Sequence, residues 1–551
     1  MPTQGTETDM MADDYTRAWM DWLGALQRSP EQQTQLVQSA AQKWQDTWCF
    51  AVQALTGAPL AHQNPDRQFT GEAWNQWPYN VYARAYGNMV GWWNEALTVK
   101  EQLPADRAQR LDFSARQMLA ASSPANYLPT NPELIQQTHT EQGANLARGI
   151  IHWLEDMRRT FEQTPAPGTE KFRVGEAVAV TPGKVVYRNE LMELIQYSAQ
   201  TPSVFAEPIL ITPAWIMKYY ILDLSPQNSL VRYLVEQGHT VFMISWKNPT
   251  AADRNLGMDD YVRSGFNAAL DAVTRIVPER RVHTVGYCIG GTLLSIAAAA
   301  LARQGDQRIA SMTLLAAQTD FAEPGELSVF ITPAQLTALD QMMQQTGVLT
   351  SEQMGMSFAL LRSADLVWAP SVNTYLRGKR ESLNDLMAWN ADGTRMPARM
   401  HSEYLSRLYL KNELSQGCFT LAGETVDLKQ IHVPMFVVGT QTDHVAPWRS
   451  VYKVRALTGS EDYTFLLTSG GHNAGIISGP VHPKRTHQLL TSHGSQEQVS
   501  ADEFLQRAEK RAGSWWPTWQ QWLVAHSAPE RVALPLMGAP LGDAPGEYVR
   551  G

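Results

Sequence analysis

The sequence predicts an α/β fold with a mostly parallel sheet, and two observations carry this prediction. Between residues 208 and 315, short apolar segments of strand length alternate with longer segments of helical character. The apolar segment at 433–439 resumes the pattern after a gap of about a hundred residues. Such alternation is typical of parallel strands with helices on both faces, and functional side chains then follow the carboxyl ends of the strands.

The individual elements follow from local composition. β-Branched and aromatic residues predict strands, whereas alanine- and leucine-rich segments that end near glycine predict helices. The predicted strands are 191–197, 208–212, 239–246, 281–285, 309–315, 433–439 and 463–467, and the predicted helices are 228–236, 258–276 and 292–303. Residues 178–187 predict a hairpin that turns at Pro182-Gly183.

Two mostly helical regions flank or interrupt this alternation. Residues 1–175 carry aromatic residues at helical spacing and predict an N-terminal helical domain, with a Pro/Gly linker at 164–169 before the catalytic domain, residues 176–551. Residues 318–425 predict a helical cap inserted in the catalytic domain. The aromatic stripes of the N-terminal helices either bind a hydrophobic body or a partner subunit, or pack on the rest of the protein, and the pattern leaves both interpretations open.

Composition excludes several classes of function. The net charge of −9 over 551 residues argues against a dedicated nucleic-acid-binding protein. Three widely spaced cysteines form neither a disulfide framework nor a metal cluster, and they fit a reducing cytoplasm. Residues 1–14 lack the features of a secretory signal, and the apolar stretch at 293–302 is too short to span a bilayer. We therefore expect a cytoplasmic protein that holds no metal.

The turn at Cys288 is the most informative motif. Gly286-Tyr287-Cys288-Ile289-Gly290 lies between a predicted strand and a predicted helix, which is the context of a nucleophile elbow. A helix N-terminus favours a thiolate, and the N–H of Ile289 is placed to form half of an oxyanion hole. The alternative is that Cys288 is a buried structural cysteine.

An acid and a histidine follow two later strands. Asp443 comes after the strand at 433–439, and His472 comes after the strand at 463–467. The order nucleophile, acid, histidine is that of the α/β-hydrolase fold, so we expect Asp443 to orient His472 and His472 to act as the base. Two alternatives stay open for this pair: Asp443 could instead cap a helix, and His472 could be a loop histidine. His444 could assist or merely pack, and Asp320 is the rival acid.

Several longer motifs resemble the polyhydroxyalkanoate synthases, which polymerise 3-hydroxyacyl-CoA into storage polyester. The resemblance runs from about residue 66 to the motif Gly513-Ser514-Trp515-Trp516-Pro517. It includes Asp66-Arg67-x-Phe69, Ser123-Pro124-x-Asn126, Ser245-Trp246-Lys247-Asn248-Pro249, Trp389-Asn390-x-Asp392-x-Thr394-x-x-Pro397, Asp443-His444-x-x-Pro447-Trp448 and Gly471-His472-x-Ala474-Gly475. Met217 departs from the family pattern, since many members have Asn at this position.

The resemblance carries further expectations. It implies an acyltransferase with Cys288, Asp443 and His472 as nucleophile, acid and base, and with (R)-3-hydroxyacyl-CoA as substrate rather than any cofactor. It places Arg362 where the family has an arginine implicated in holding CoA, although Arg362 is equally well explained as a surface residue. It also implies a homodimer on polyester granules. The competing functions are a thioesterase or polyester depolymerase of the same fold, and a catalytically inactive granule scaffold.

Overall fold

The computed structural model describes residues 5–56, 66–162, 164–494 and 499–551 of the chain. Residues 1–4, which belong to the stretch 1–14 that lacks the features of a secretory signal, lie outside this description. Contacts divide the chain into two compact units, of which the first is Met1–Pro165 with Met356–Ser382 and the second is Ala166–Gly355 with Leu383–Gly551. The predicted domain boundary near residue 175 and the predicted cap limits of 318 and 425 stay predictions.

The first unit is helical, as the aromatic spacing predicts. Its main helices are Gly5–Gln27, Pro30–Thr56, Tyr79–Ala96, Ala105–Ala121, Pro132–Thr140 and Ala144–Glu162. Trp22 is buried in a small core, and its indole donates to Ala96 O at 2.9 Å. Trp44 and Trp48 instead lie exposed on the helix Pro30–Thr56, stacked with ring centroids 5.9 Å apart. The aromatic residues therefore divide between core packing and the exposed surface.

The second unit is built on a central sheet of eleven strands. In chain order these are β1 Gly183–Arg188, β2 Met192–Tyr197, β3 Ile209–Thr212, β4 Val241–Trp246, β5 Val282–Tyr287, β6 Ile309–Leu315, β7 Met435–Thr440, β8 Asp462–Thr468, β9 Thr486–His493, β10 Glu509–Ala512 and β11 Gly542–Asp543. Their spatial order is β10-β9-β8-β7-β6-β5-β3-β4-β2-β1-β11. Strands β3 to β8 run parallel, and the outer strands pair antiparallel.

Helices connect the strands of this sheet and cover its faces. They are Leu230–Glu236, the nearly continuous run of Met258–Asp260, Tyr261–Asn267 and Ala268–Ile276, then Ile289–Arg303, Trp448–Tyr452, Val454–Leu457, His472–Ile476, Ala501–Arg507 and Trp516–Ala525. Among the described residues, no helix is both long and apolar enough to cross a membrane. The observed architecture confirms the predicted α/β fold.

The chain between β6 and β7 is mostly helical. Its helical segments are Glu326–Phe330, Pro333–Thr346, Ser351–Leu361, Ala364–Trp368, Ala369–Ser371, Val372–Leu376, Asp385–Ala391, Ala398–Glu403, Tyr404–Leu410 and Leu428–Gln430. Two short strand pairs interrupt them, Val348–Leu349 with Met396–Pro397 and Thr420–Leu421 with Glu424–Thr425. The middle of this connection, Met356–Ser382, belongs to the first unit by its contacts.

The predicted hairpin over residues 178–187 is wrong. Residues 183–188 form one strand, β1, which turns after Arg188 and pairs with β2. The turn is made by Asn189, whose side-chain oxygen accepts the N–H groups of Leu191 and Met192, each at 2.9 Å. Asparagine supplies this side-chain-to-backbone turn as readily as a Pro-Gly pair supplies a backbone turn.

Glycines at the β5 turn allow three elements to meet. A Cβ on Gly290 would lie 2.3 Å from Thr212 O and 2.5 Å from Pro213 O, so the helix Ile289–Arg303 starts directly against the end of β3. A Cβ on Gly286 would lie 2.4 Å from Gly291 Cα. Each of these contacts is with backbone atoms, which cannot rotate away as a flexible side chain can.

We expect Gly290→Ala to destabilise the second unit by about 2 kcal/mol or more, because the added methyl group forces the helix away from β3. The measurement is the thermal unfolding midpoint. Gly87→Ala is the control, since a Cβ at Gly87, within the helix Tyr79–Ala96, meets nothing within 4 Å. Equal midpoints for the two variants would contradict this account of the turn.

Candidate active site

Cys288 occupies a strained position between β5 and the helix Ile289–Arg303. Its φ of 53° and ψ of −129° are unusual for a residue with a side chain. Hydrogen bonds hold this conformation, since Cys288 N donates to Leu315 O at 2.9 Å and Cys288 O accepts from Gly291 N at 2.9 Å. The thiol is half-buried at the carboxyl end of the sheet. This is the geometry that a nucleophile elbow requires.

His472 and Asp443 lie together at the same end of the sheet. His472 begins the short helix that follows β8, and Asp443 follows β7. The distance between His472 Nδ1 and Asp443 Oδ2 is 2.7 Å. With Nδ1 bonded to a carboxylate, the ring presents Nε2 as its other proton-carrying or proton-accepting atom.

Asp443 is a buried carboxylate whose two oxygens are both hydrogen-bonded. Oδ2 also accepts from Thr440 Oγ1 at 2.7 Å, and Oδ1 accepts from the N–H groups of Val445 and Ala446 at 2.9 and 2.8 Å. Burial acts to raise the pKa of Asp443, but His472 and these hydrogen bonds outweigh it and hold the pKa below the usual value. Asp443 therefore stays ionised and fixes the orientation of the imidazole.

The ring of His472 lies within interaction distance of Cys288. Burial acts to lower the pKa of His472, but the charge of Asp443 and the proximity of Cys288 outweigh burial and raise the pKa well above 6.5. This shift favours the protonated form of the imidazole. The structure thus brings Cys288, His472 and Asp443 together.

A second contact ties the cysteine turn to the histidine turn. Tyr287, which precedes Cys288, donates its hydroxyl to Asn473 Oδ1 at 2.6 Å. Its ring also lies beside the His472 ring, with centroids 5.7 Å apart. The residue before Cys288 thus contacts both His472 and the residue after it, which restrains the two turns relative to each other.

Two backbone segments border the space in front of Cys288. Ile289 is the first residue of its helix, so its N–H has no partner within the helix. The loop after β3 runs beside it, since Thr212 and Pro213 contact the turn at Gly290. In an α/β-hydrolase fold these are the two sources of oxyanion-hole donors.

The other predicted candidates occupy different surroundings. His444 is half-buried, and its carbonyl accepts from Glu326 N at 3.1 Å, so a role for its side chain stays a prediction. Asp320 Oδ1 accepts from Ala322 N and Asn412 Nδ2, at 2.7 and 3.1 Å, and the histidine is bonded to Asp443 instead. Arg362 belongs to the first unit, where it is exposed and pairs with Asp365.

Sequence reasoning missed a cluster of tyrosines near Cys288. Burial raises the pKa of Tyr404 far above its usual value, and the proximity of Tyr409 and Cys288 adds to this effect. Burial and the proximity of Cys288 also raise the pKa of Tyr409. The two rings are 5.4 Å apart, and Phe321 contacts both. Residues 404–410 form a widened π-helical turn, which places residues five apart on one face. A search for α-helical spacing could not find them.

Two models of known protein families match the chain. A family model described as "alpha/beta hydrolase fold" matches residues 207–478, so the second unit has the alpha/beta hydrolase fold. A second model, described as "Poly-beta-hydroxybutyrate polymerase (PhaC) N-terminus", matches residues 65–234.

Relatives extend the match to nearly the whole chain. A poly(3-hydroxyalkanoate) polymerase of Methylorubrum extorquens is 39% identical, with 99% of this chain and 90% of the relative covered. The polymerase subunit PhaC of Rhizobium meliloti is 38% identical, covering 96% and 87%, and that of Cupriavidus necator is 36% identical, covering 99% and 93%. The chain belongs to the poly(3-hydroxyalkanoate) polymerase family, which confirms the resemblance found in the sequence.

We expect Asp443→Asn to lower the pKa of His472, because the carboxylate is the larger of the two influences that raise it. The imidazole will then lose its proton at a lower pH than in the parent protein. The measurement is the titration midpoint of the His472 ring by NMR of ¹³C-labelled histidine, with the signal assigned by its loss in His472→Gln.

Asp320→Asn is the matched control for this prediction. It neutralises a carboxylate that is bonded to Asn412 and Ala322 rather than to His472. The His472 midpoint is expected to stay where it is in the parent. A midpoint that moves equally in both variants, or in neither, would show that Asp443 does not control the histidine.

Proposed function

We propose that the chain is a polymerase that converts (R)-3-hydroxyacyl-CoA into polyester with release of CoA, through a thioester on Cys288. The observation that carries the proposal is the strained Cys288 turn facing the hydrogen-bonded pair His472 and Asp443. Membership of the polymerase family supplies the substrate class. Cysteine suits this chemistry because exchange of one thioester for another is close to thermoneutral.

The first half-reaction moves the acyl group to the enzyme. The Cys288 thiolate attacks the carbonyl carbon of the acyl-CoA thioester, and the negative charge that develops on the oxygen is stabilised by the N–H of Ile289 and a donor from the loop after β3. The tetrahedral intermediate collapses with cleavage of the carbon–sulfur bond to CoA. Protonated His472 gives its proton to the departing CoA thiolate.

The second half-reaction lengthens the chain. Neutral His472 takes the proton from the 3-hydroxyl group of another acyl unit while that oxygen attacks the thioester on Cys288. An ester bond forms, the bond to Cys288 sulfur breaks, and the thiolate is restored beside protonated His472. Asp443 remains ionised throughout and stabilises the cationic imidazole.

Polymerisation requires that water does not replace the hydroxyl group. The aromatic side chains of Phe321, Tyr404 and Tyr409 lie close to one another near Cys288, and the two tyrosines are partly buried against the apolar core. This apolar wall excludes water from the thioester and favours ester formation over hydrolysis. We assign Arg362 to the CoA portion of the substrate and His444 to the substrate-binding wall.

The proposal extends to the setting in which the enzyme works. We propose a homodimer that acts at the surface of cytoplasmic polyester granules. The exposed residues Trp44 and Trp48 on the helix Pro30–Thr56 supply apolar surface suited to a hydrophobic granule. Amphipathic aromatic side chains are favoured at such boundaries because one part of the ring system is apolar and the indole N–H is polar.

We expect purified protein given (R)-3-hydroxybutyryl-CoA to release CoA and to form turbid polymer, with little free 3-hydroxybutyrate. Cys288→Ala is expected to abolish both signals, because no covalent acyl-enzyme can form. The measurements are CoA release with a thiol reagent, turbidity, and chromatography of the acid. Cys418→Ala is the control, since Cys418 is exposed and its thiol donates to Glu413 O at 3.6 Å.

Other outcomes separate the competing functions. Release of CoA with stoichiometric free acid and no turbidity would identify a thioesterase and overturn the polymerase proposal. The protein would be identified as a scaffold if it releases no CoA even when intact and if its granule binding survives Cys288→Ala. Medium-length 3-hydroxyacyl-CoAs, tested in parallel, protect the conclusion against an unsuitable acyl length.

A further inference from the structure

The motif from Trp389 to Pro397 has no part in the chemistry proposed above, although the family resemblance includes it. It spans the end of the helix Asp385–Ala391 and the short strand Met396–Pro397. In the structure it lies along the loop that follows β3, residues 213–220. This loop is the expected source of the second oxyanion-hole donor.

One end of the motif binds the first half of this loop. Thr394 Oγ1 donates to the carbonyl of Trp215 at 2.8 Å, and both residues are buried. The backbone of Gly393 forms an antiparallel bridge with Met217. The segment Ile216–Met217 is thus held by a side-chain contact just before it and by a backbone bridge within it.

The other end of the motif binds the second half of the loop. The indole of Trp389 donates to the carbonyl of Lys218 at 2.8 Å. The hydroxyl of Tyr220 donates to Asp392 Oδ2, also at 2.8 Å. Contacts therefore flank the segment Ile216–Met217 on both sides.

The loop needs these partners because it is buried and irregular. The carbonyls of Trp215 and Lys218 lie outside the central sheet, and an unpaired buried carbonyl costs free energy comparable to a lost hydrogen bond. The Trp215 ring is fixed from its other side by Tyr261 and Trp246, at centroid distances of 4.8 and 5.9 Å. The backbone of the loop is consequently restrained from two directions.

The same loop adjoins the Cys288 turn. The carbonyls of Thr212 and Pro213 lie where a side chain at Gly290 would have to be. Ile216 and Cys288 pack against one apolar core, and Met217 and Cys288 pack against the other. A shift of the loop backbone would therefore change the distance between its N–H groups and the carbonyl oxygen of a substrate attacked by Cys288.

We infer that Trp389 and Thr394 are positioning residues for the oxyanion hole. Their hydrogen bonds to Lys218 O and Trp215 O hold the backbone of Ile216–Met217 where an N–H can stabilise the oxyanion formed at the Cys288 thioester. Asp392 and Gly393 hold the same loop through Tyr220 and Met217. We call these four contacts, made by Trp389, Asp392, Gly393 and Thr394, the clamp. This inference rests on the proposed function, because it needs a tetrahedral intermediate.

The test compares two reactions of the same thiol. Acyl transfer from acyl-CoA passes through an oxyanion, whereas alkylation of Cys288 by iodoacetamide is a displacement at a methylene carbon and forms none. The background carries Cys49→Ser and Cys418→Ser, which remove the two exposed thiols. The variants are Thr394→Val, which keeps the shape of the side chain, and Trp389→Phe, which removes the indole N–H.

We expect Thr394→Val and Trp389→Phe each to lower kcat for CoA release by roughly 10- to 100-fold, less than the loss of a direct oxyanion donor. KM and the alkylation rate of Cys288 are expected to stay within twofold. Thr394→Ser retains the donor oxygen and is expected to restore kcat. Thr458→Val is the matched control, because it also removes a buried hydroxyl bonded to a carbonyl, Val454 O at 3.2 Å.

Three results would overturn the inference. Unchanged kcat in both Thr394→Val and Trp389→Phe would show that the motif does not position the oxyanion hole. Alkylation that falls in parallel with CoA release would show a general disturbance of the Cys288 turn instead. A parent protein that releases no CoA would refute the proposed function and the clamp together. If the parent releases CoA and both variants release it equally fast, the clamp alone is refuted.

Discussion

The contact between the first turn of the helix Ile289–Arg303 and the end of β3 is the constraint on which the site depends. Gly290 permits it, because any side chain there would collide with the carbonyls of Thr212 and Pro213. The contact lies next to the strained conformation of Cys288 and brings the loop after β3 beside the turn that carries the thiol. The turn at Cys288 and the loop after β3 therefore meet at one close backbone contact.

Charge distribution supplies the second half of the arrangement. A buried carboxylate is costly unless it is paired and hydrogen-bonded, and Asp443 meets both conditions. Its ionised state is the largest of the influences that raise the pKa of His472, and it therefore favours the protonated imidazole. Burial and hydrogen bonding of Asp443 thus fix the orientation of the His472 ring beside Cys288.

The sequence predicted the features that depend on local pattern. The central strands are continuous apolar segments, and Cys288, Asp443 and His472 each follow such a strand, so their proximity could be expected from topology. The predicted hairpin at residues 178–187 is wrong because the chain turns at Asn189, whose side chain bonds the backbone of Leu191, and not at Pro182-Gly183. The catalytic roles of these residues, and those of His444 and Arg362, stay predictions.

Contacts between distant segments could not be predicted in the same way. Tyr404 and Tyr409 share a face only because the helix widens locally, and no spacing rule for an ordinary α-helix indicates this. The hydrogen bonds of Trp389 and Thr394 join residues far apart in the chain, and they depend on how the connection between β6 and β7 folds back. The motif from Trp389 to Pro397 is visible in the sequence, but its contact with the loop at residues 213–220 is not.

The exposed pair Trp44 and Trp48 has an optical consequence. Their indole planes are 6° from parallel with centroids 5.9 Å apart, which is close enough for the electronic transitions of the two chromophores to couple. Such coupling produces paired bands of opposite sign in circular dichroism when the transition moments are skewed. Because most of both indoles faces solvent, a ligand covering this helix would perturb the signal and make the surface observable without an added label.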